Sequence, residues 1–218
     1  MLTKQKKGML LGLLFLTING CSNRRPQNTL PYFNTADFTP EWLVKTDAGY
    51  SKLHQVPPFC FEDQNGKLVT GQTTKGSICV VNFFFTRCSI ICPKTMGNMN
   101  RVAQAFRNDQ RVQILSHSVT PSYDNTAVLK RYALEKGISN PNWHLLTGDK
   151  ATIYAIARTG YFADTEAKAK PTGAFDFLHT ENFILVDQHK HIRGIYNGSI
   201  AFEADNLIRH IKILEQEE

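Results

Sequence analysis

Residues 77–85, SICVVNFFF, run without a break into residues 86–93, TRCSIICP. The first stretch is β-branched and aromatic with no charge, the composition of a strand covered on both faces, and it predicts the central strand of a sheet. The second predicts the turn out of that strand. A helix is expected from Pro93 to about Phe106, because Met96, Met99, Val102, Ala103 and Phe106 recur at offsets of three and four. Cys88 and Cys92 therefore fall where a buried strand becomes a helix.

On the amino-terminal side, Phe59-Cys60-Phe61 and Leu68-Val69 flank an Asn65-Gly66 turn and predict a hairpin. On the carboxyl-terminal side, Val112 to His117 is a strand. A helix is expected to open at Pro121 and stop at Gly137. Trp143 to Leu146 is a short strand, and Asp149 caps a helix from Lys150 to about Arg158. Residues 160–178 read as irregular. Phe183 to Val186 and Ile192 to Tyr196 form a second hairpin, and Ala201 to Leu214 a last helix with Leu207, Ile208, Ile211 and Leu214 on one side. This order is that of an α/β fold: a mixed sheet flanked by helices, with an early and a late hairpin. No internal repeat or second domain is visible.

The first twenty residues read as targeting. Lys4, Lys6 and Lys7 precede an apolar run from Met9 to Ile18, which ends in Asn19-Gly20-Cys21. That run has the length of a signal h-region and half that of a bilayer span. Small residues before a cysteine resemble a bacterial lipoprotein signal, which predicts cleavage after residue 20 and lipid on Cys21. An uncleaved signal anchor is the alternative. Residues 21–50, with Pro26 and Pro31, then read as a tether, and residues 51–218 as the domain. The protein is thus expected on a bacterial membrane, facing the periplasm or the cell exterior. The net charge of +6 falls to +3 without the three leader lysines, which gives no clustered basic face and excludes a nucleic-acid partner.

With Cys21 lipidated, four of the five cysteines remain: Cys60, Cys79, Cys88 and Cys92. No glycine-rich phosphate loop, G-x-S-x-G or H-E-x-x-H occurs in the chain. A C-x3-C pair can close a disulfide or clamp a soft metal, and a thiol at a helix start has its thiolate favoured. Two thiolates suit Cu(I), and an added imidazole suits Cu(II) as well. Among the seven histidines His179 is the candidate third ligand, since it ends the irregular stretch just before the strand from Phe183. His117 ends a strand at the same edge and is the reserve. His54 and His144 read as structural, and His189 and His191 as water-facing.

These blocks resemble the Sco/SenC family, thioredoxin-like copper-binding proteins of cytochrome oxidase assembly. The resemblance spans about Val56 to Ile211. It lies in Val81 to Cys88 with Ile91-Cys92-Pro93, in Trp143 to Gly148, and in Leu178-His179-Thr180 followed by Phe183 to Asp187. It implies a thioredoxin-like fold with copper held by Cys88, Cys92 and His179. The implied client is cytochrome c oxidase subunit II or a similar copper acceptor, with an extracytoplasmic thiol reductant as second partner. The protein would then be a metallochaperone more than an enzyme. The same two cysteines acting as a thiol–disulfide reductase without copper are the alternative.

The chain departs from the family pattern in three places. Ser89-Ile90-Ile91 stands where many relatives carry Pro-Asp-Ile, so an acidic neighbour of the thiols is missing. Leu178 precedes His179 where Asp is common. Cys60 and Cys79 are additional, and a structural disulfide between them is expected if their strands are neighbours; two free thiols, or a second redox pair, are the alternatives. A peroxidase would need an arginine over the reactive sulfur, and Arg87 is adjacent only in sequence. An inert disulfide module is the plainest remaining possibility.

Overall fold

The computed structural model describes residues 29–163 and 180–217. Its frame is a five-stranded sheet in the order β7-β6-β5-β8-β9. The central strand is β5 (Ile78–Phe84), all seven residues of which are buried. β6 (Val112–Ser118) runs parallel to it, and β7 (Trp143–Leu146) parallel to β6. On the other side β8 (Asn182–Val186) is antiparallel to β5, and β9 (Ile192–Asn197) antiparallel to β8. The helical crossovers and the late hairpin thus give the mixed sheet that their spacing predicts.

The side chains of β5 alternate between two cores, as a period of two requires. Ile78, Val80 and Phe84 face a layer made by α1 (Cys92–Ala105), α2 (Thr126–Glu135) and α4 (Ala201–Leu214). Cys79, Val81 and Phe83 face the other layer, which holds α3 (Lys150–Ala155) and the hairpin of β3 (Cys60–Glu62) and β4 (Leu68–Thr70). Asn82 is the polar exception in β5. It accepts a 2.6 Å bond from Ser116, whose oxygen receives the Trp143 indole N–H at 2.9 Å. The buried polar group is thereby satisfied.

Three boundaries differ from those expected. α2 begins five residues later than Pro121, because Asn125 caps it by accepting from the N–H of Val128 and Pro121 to Asp124 form a turn instead. The helix from Lys150 becomes a π-helical turn over Ile156–Gly160 and so runs past Arg158. The larger difference concerns the segment 21–50. From Leu30 onward it is part of the domain, not a free tether: β1 (Tyr32–Phe33) pairs with β2 (Pro40–Glu41), and Leu30 and Tyr32 are buried.

Arg193 in β9 secures that segment. Its guanidinium, 4% exposed, donates to the carbonyls of Leu30 at 2.7 Å and Pro31 at 3.1 Å, and pairs with Asp187 at 3.1 Å and Glu217 at 2.7 Å. Glu217 also accepts the N–H of Leu30 at 2.9 Å. Arg193 and Asp187 stand beside the Cys79 end of β5, the end opposite Cys88. Among the described residues no helix is long and apolar enough to cross a membrane.

Candidate metal centre

β5 delivers the chain to the carboxyl-terminal edge of the sheet, where open α/β folds gather ligands. The turn closes with the N–H of Cys88 on the carbonyl of Phe85 at 3.3 Å. α1 then starts without a side-chain cap, with Pro93 in its first turn. The N–H of Cys92 points at the Cys88 sulfur, 3.3 Å away. A sulfur thus meets one of the donors that a helix start leaves unpaired.

The two thiols differ sharply. Cys88 is partly exposed and Cys92 buried. Burial works against the Cys88 thiolate, but the N–H of Cys92, a hydrogen bond with its thiol, and the N–H groups of Ile90 and Ile91 outweigh it; its pKa lies below the ordinary thiol value. Burial pushes the Cys92 thiol up to about 12, against a backbone hydrogen bond at Phe85 and reinforced by Cys88 and by the charge of Asp124. Between them the loop presents Ile90, which is 86% exposed. Arg87 lays its guanidinium on the ring of Tyr123, 3.2 Å from the centroid. Its contact is therefore with that ring.

Beside Cys92 a cavity of about 140 Å³ is lined by Phe84, Phe85, Ile91, Val119, Thr180 and Glu181, among others. Thr180 directly follows His179. His179 and Cys21 themselves lie outside the described residues, and among the described residues no group of three or more His, Cys, Asp or Glu side chains is arranged to hold a metal ion.

The other candidates separate. His117, the reserve ligand, stacks on Phe83 in the layer across the sheet from Cys92, and both its ring nitrogens are buried without a partner among the described residues. Alternation along β6 turns it away, so it is no ligand for this pair. His54 bonds the carbonyl of Gly160 at 2.9 Å, and His144 bridges Asp63 and Gln113 at 3.1 and 3.2 Å, both structural as expected. His189 is exposed, but His191 is buried, bonded to the carbonyl of His54 at 2.9 Å, and does not face water. Cys60 and Cys79 are free thiols, one exposed and one buried. The expected bridge fails because β3 pairs with β4 while β5 lies between β6 and β8.

Two residues near the thiols were not singled out by sequence. Asp124 is fully buried and accepts from Thr86 N–H at 3.2 Å, Thr86 Oγ1 at 2.5 Å, Ser118 Oγ at 2.6 Å and Thr120 Oγ1 at 2.9 Å. It so ties the start of the cysteine loop to the end of β6. Tyr132 of α2 is buried and feels both thiols. Its only signal was its place on the helix face, and Asp124 lay within a stretch read as helix.

A family model described as SCO1/SenC matches residues 48–214. A SCO1 protein homolog of Bacillus subtilis is 29% identical over 210 residues, covering 94% of this chain and 95% of its own. The solved structure of BsSco, described with a disulfide switch and as a member of the Sco family of cytochrome c oxidase assembly proteins, is 30% identical with a TM-score of 0.65, covering 76% of this chain and 95% of that one. Bradyrhizobium japonicum ScoI, solved with copper bound, is 28% identical with a TM-score of 0.54, covering 72% and 99%. The fold is the thioredoxin-like fold of these structures.

Proposed function

Since the chain belongs to the SCO1/SenC family, we propose that it is an extracytoplasmic copper chaperone that takes copper as cargo on Cys88, Cys92 and His179. It delivers the ion to the binuclear copper centre of cytochrome c oxidase, or prepares the thiols of that centre. Lipid on Cys21 holds it to a bacterial membrane, facing the periplasm or the cell exterior, and an extracytoplasmic reductant keeps the thiols reduced.

One observation carries this reading: two thiols meet at the sheet edge, where the sulfur of Cys88 accepts the backbone N–H of Cys92 and is partly exposed and easily ionised. Soft, deprotonated donors at such a spacing suit Cu(I), and an imidazole extends the site to Cu(II). Thr180 shares a cavity with Cys92, which supports its neighbour His179 as third ligand. The half-exposed position of Cys88 suits release by ligand exchange with a client. Anaerobic titration of the reduced protein with copper tests the proposal. A thiolate-to-copper charge-transfer band in the Cu(II) form is expected, and it is lost in Cys88→Ser, Cys92→Ser and His179→Ala; a wild type without the band sinks the reading.

The unequal thiols favour a second reading, a thiol–disulfide reductase. The Cys88 thiolate attacks a client disulfide and releases one client thiolate, which takes up a proton. Cys92 gives up its proton and displaces the second client sulfur, leaving the Cys88–Cys92 disulfide and a reduced client. This reading expects His179→Ala to retain activity; the copper reading does not.

A further inference from the structure

Residues 86–93 contain no acidic side chain, yet the thiol pair does not lack a negative neighbour. Asp124 reaches it from the turn after β6. All four groups that touch its carboxylate are donors, and among the described residues it has no ion-pair partner. Two of those donors belong to Thr86, two residues before Cys88. The carboxylate is therefore fixed relative to the loop that carries Cys88.

We propose that Asp124 is a positioning residue that sets which oxidation state of copper the site prefers: held to the cysteine loop through Thr86, its buried charge favours Cu(II) over Cu(I) at Cys88 and Cys92. This rests on the copper reading above. A charge that is buried is poorly screened, and it stabilises a divalent ion about twice as much as a monovalent one. Glu181 also lines the cavity, and Arg87 lies nearby, but both are exposed and their charges are damped by water and salt. Among the described residues, Asp124 is the acidic side chain near the pair that solvent does not screen.

The test compares Cu(II) and Cu(I) affinities, each measured by competition with a chelator of known affinity, on the reduced full-length protein and its variants. Asp124→Asn keeps the shape and removes the charge; it is expected to weaken Cu(II) about tenfold more than Cu(I). Thr120→Lys places an ammonium against the same carboxylate from the rim and is expected to act in the same direction, which keeps the test open if Asp124→Asn fails to fold. Asp124→Glu, which restores the charge, recovers the wild-type ratio. Thr86→Val removes the hydroxyl bond but keeps the backbone N–H of residue 86 on the carboxylate, so the hold and the charge remain and the ratio of the two affinities stays near wild type. Equal ratios in wild type, Asp124→Asn and Thr120→Lys overturn the inference and leave the copper reading standing. A wild type that binds neither ion overturns both.

Discussion

The backbone N–H of Cys92 lies 3.3 Å from the sulfur of Cys88. The residue that opens α1 thus donates to the thiol four positions before it. A helix start leaves such donors free, and their positive end favours an anion. One cysteine is made an easy thiolate by the backbone of the other, whose own thiol is driven the opposite way by burial.

That asymmetry predicts an order of reaction. With iodoacetamide at neutral pH, Cys88 is expected to be modified well before Cys92 and Cys79, and its rate to level off with rising pH below the ordinary thiol value. Exposed Cys60 provides a second labelled site in the same peptide map. Cys92→Ser keeps the fast phase and Cys88→Ser removes it; a fast phase that survives in Cys88→Ser refutes the assignment. Mass spectrometry of quenched samples reads it directly.

His117 makes a prediction about stability. Its ring sits among Phe59, Phe61, Phe83 and Tyr161 with neither nitrogen paired among the described residues, and burial lowers its pKa from 6.5 to about 3. Above pH 6.5 both folded and unfolded chains carry it neutral, so it contributes no pH dependence there. As pH falls from 6.5 toward 3 the unfolded chain binds a proton that the folded one refuses, and stability is lost. His117→Phe removes the unpaired polar atoms and is expected to stabilise by about 1–3 kcal/mol at pH 7. It should gain more at pH 4.5; urea midpoints at the two pH values decide, and an equal gain at both counts against the account.

Arg193 predicts a large loss. Arg193→Met leaves Asp187 and Glu217 without their cation and the carbonyls of Leu30 and Pro31 without their donor. The expected cost is about 3–5 kcal/mol, with faster proteolytic cleavage near residue 30. A variant that unfolds at the wild-type urea concentration contradicts it.

Gly198 predicts a local clash. A Cβ there would stand 2.7 Å from the carbonyl oxygen of Glu181, which the Gly198 N–H already holds at 2.8 Å, while Asn98 fixes the Gly198 carbonyl at 2.8 Å. Gly198→Ala is expected to destabilise by about 1–3 kcal/mol. Copper affinity should fall with it, because Glu181 and Thr180 border the thiol cavity; unchanged thermal stability would show that the strand start yields freely.

The parts legible in the sequence are those with local periodicity or local chemistry. The run from Ser77 to Phe85 announced a strand covered on both sides, and Cys88 and Cys92 announced a site at its end. The Asn65-Gly66 turn and the stop at Gly137, both with positive φ, were equally plain. What escaped depends on partners far along the chain. Leu30 is bonded to Glu217, 187 positions away, and nothing in a Pro-punctuated segment foretells it. Asp124 looked like part of a helix start because its four donors are set by the turn and by strand ends. His191 looked exposed in a hairpin turn, but the carbonyl of His54 and the rings of Tyr32 and Tyr50 cover it.

The bond pattern around Arg193 has a practical corollary. Leu30 and Glu217 meet on one guanidinium, so both extremities of the described chain emerge together, at the pole remote from the thiols. A fusion, affinity handle or chip linkage at either extremity leaves the thiol pole turned outward. The same proximity makes the pair a natural join for a circularly permuted version, whose new ends can be opened in a solvent-facing turn such as that at Asn65.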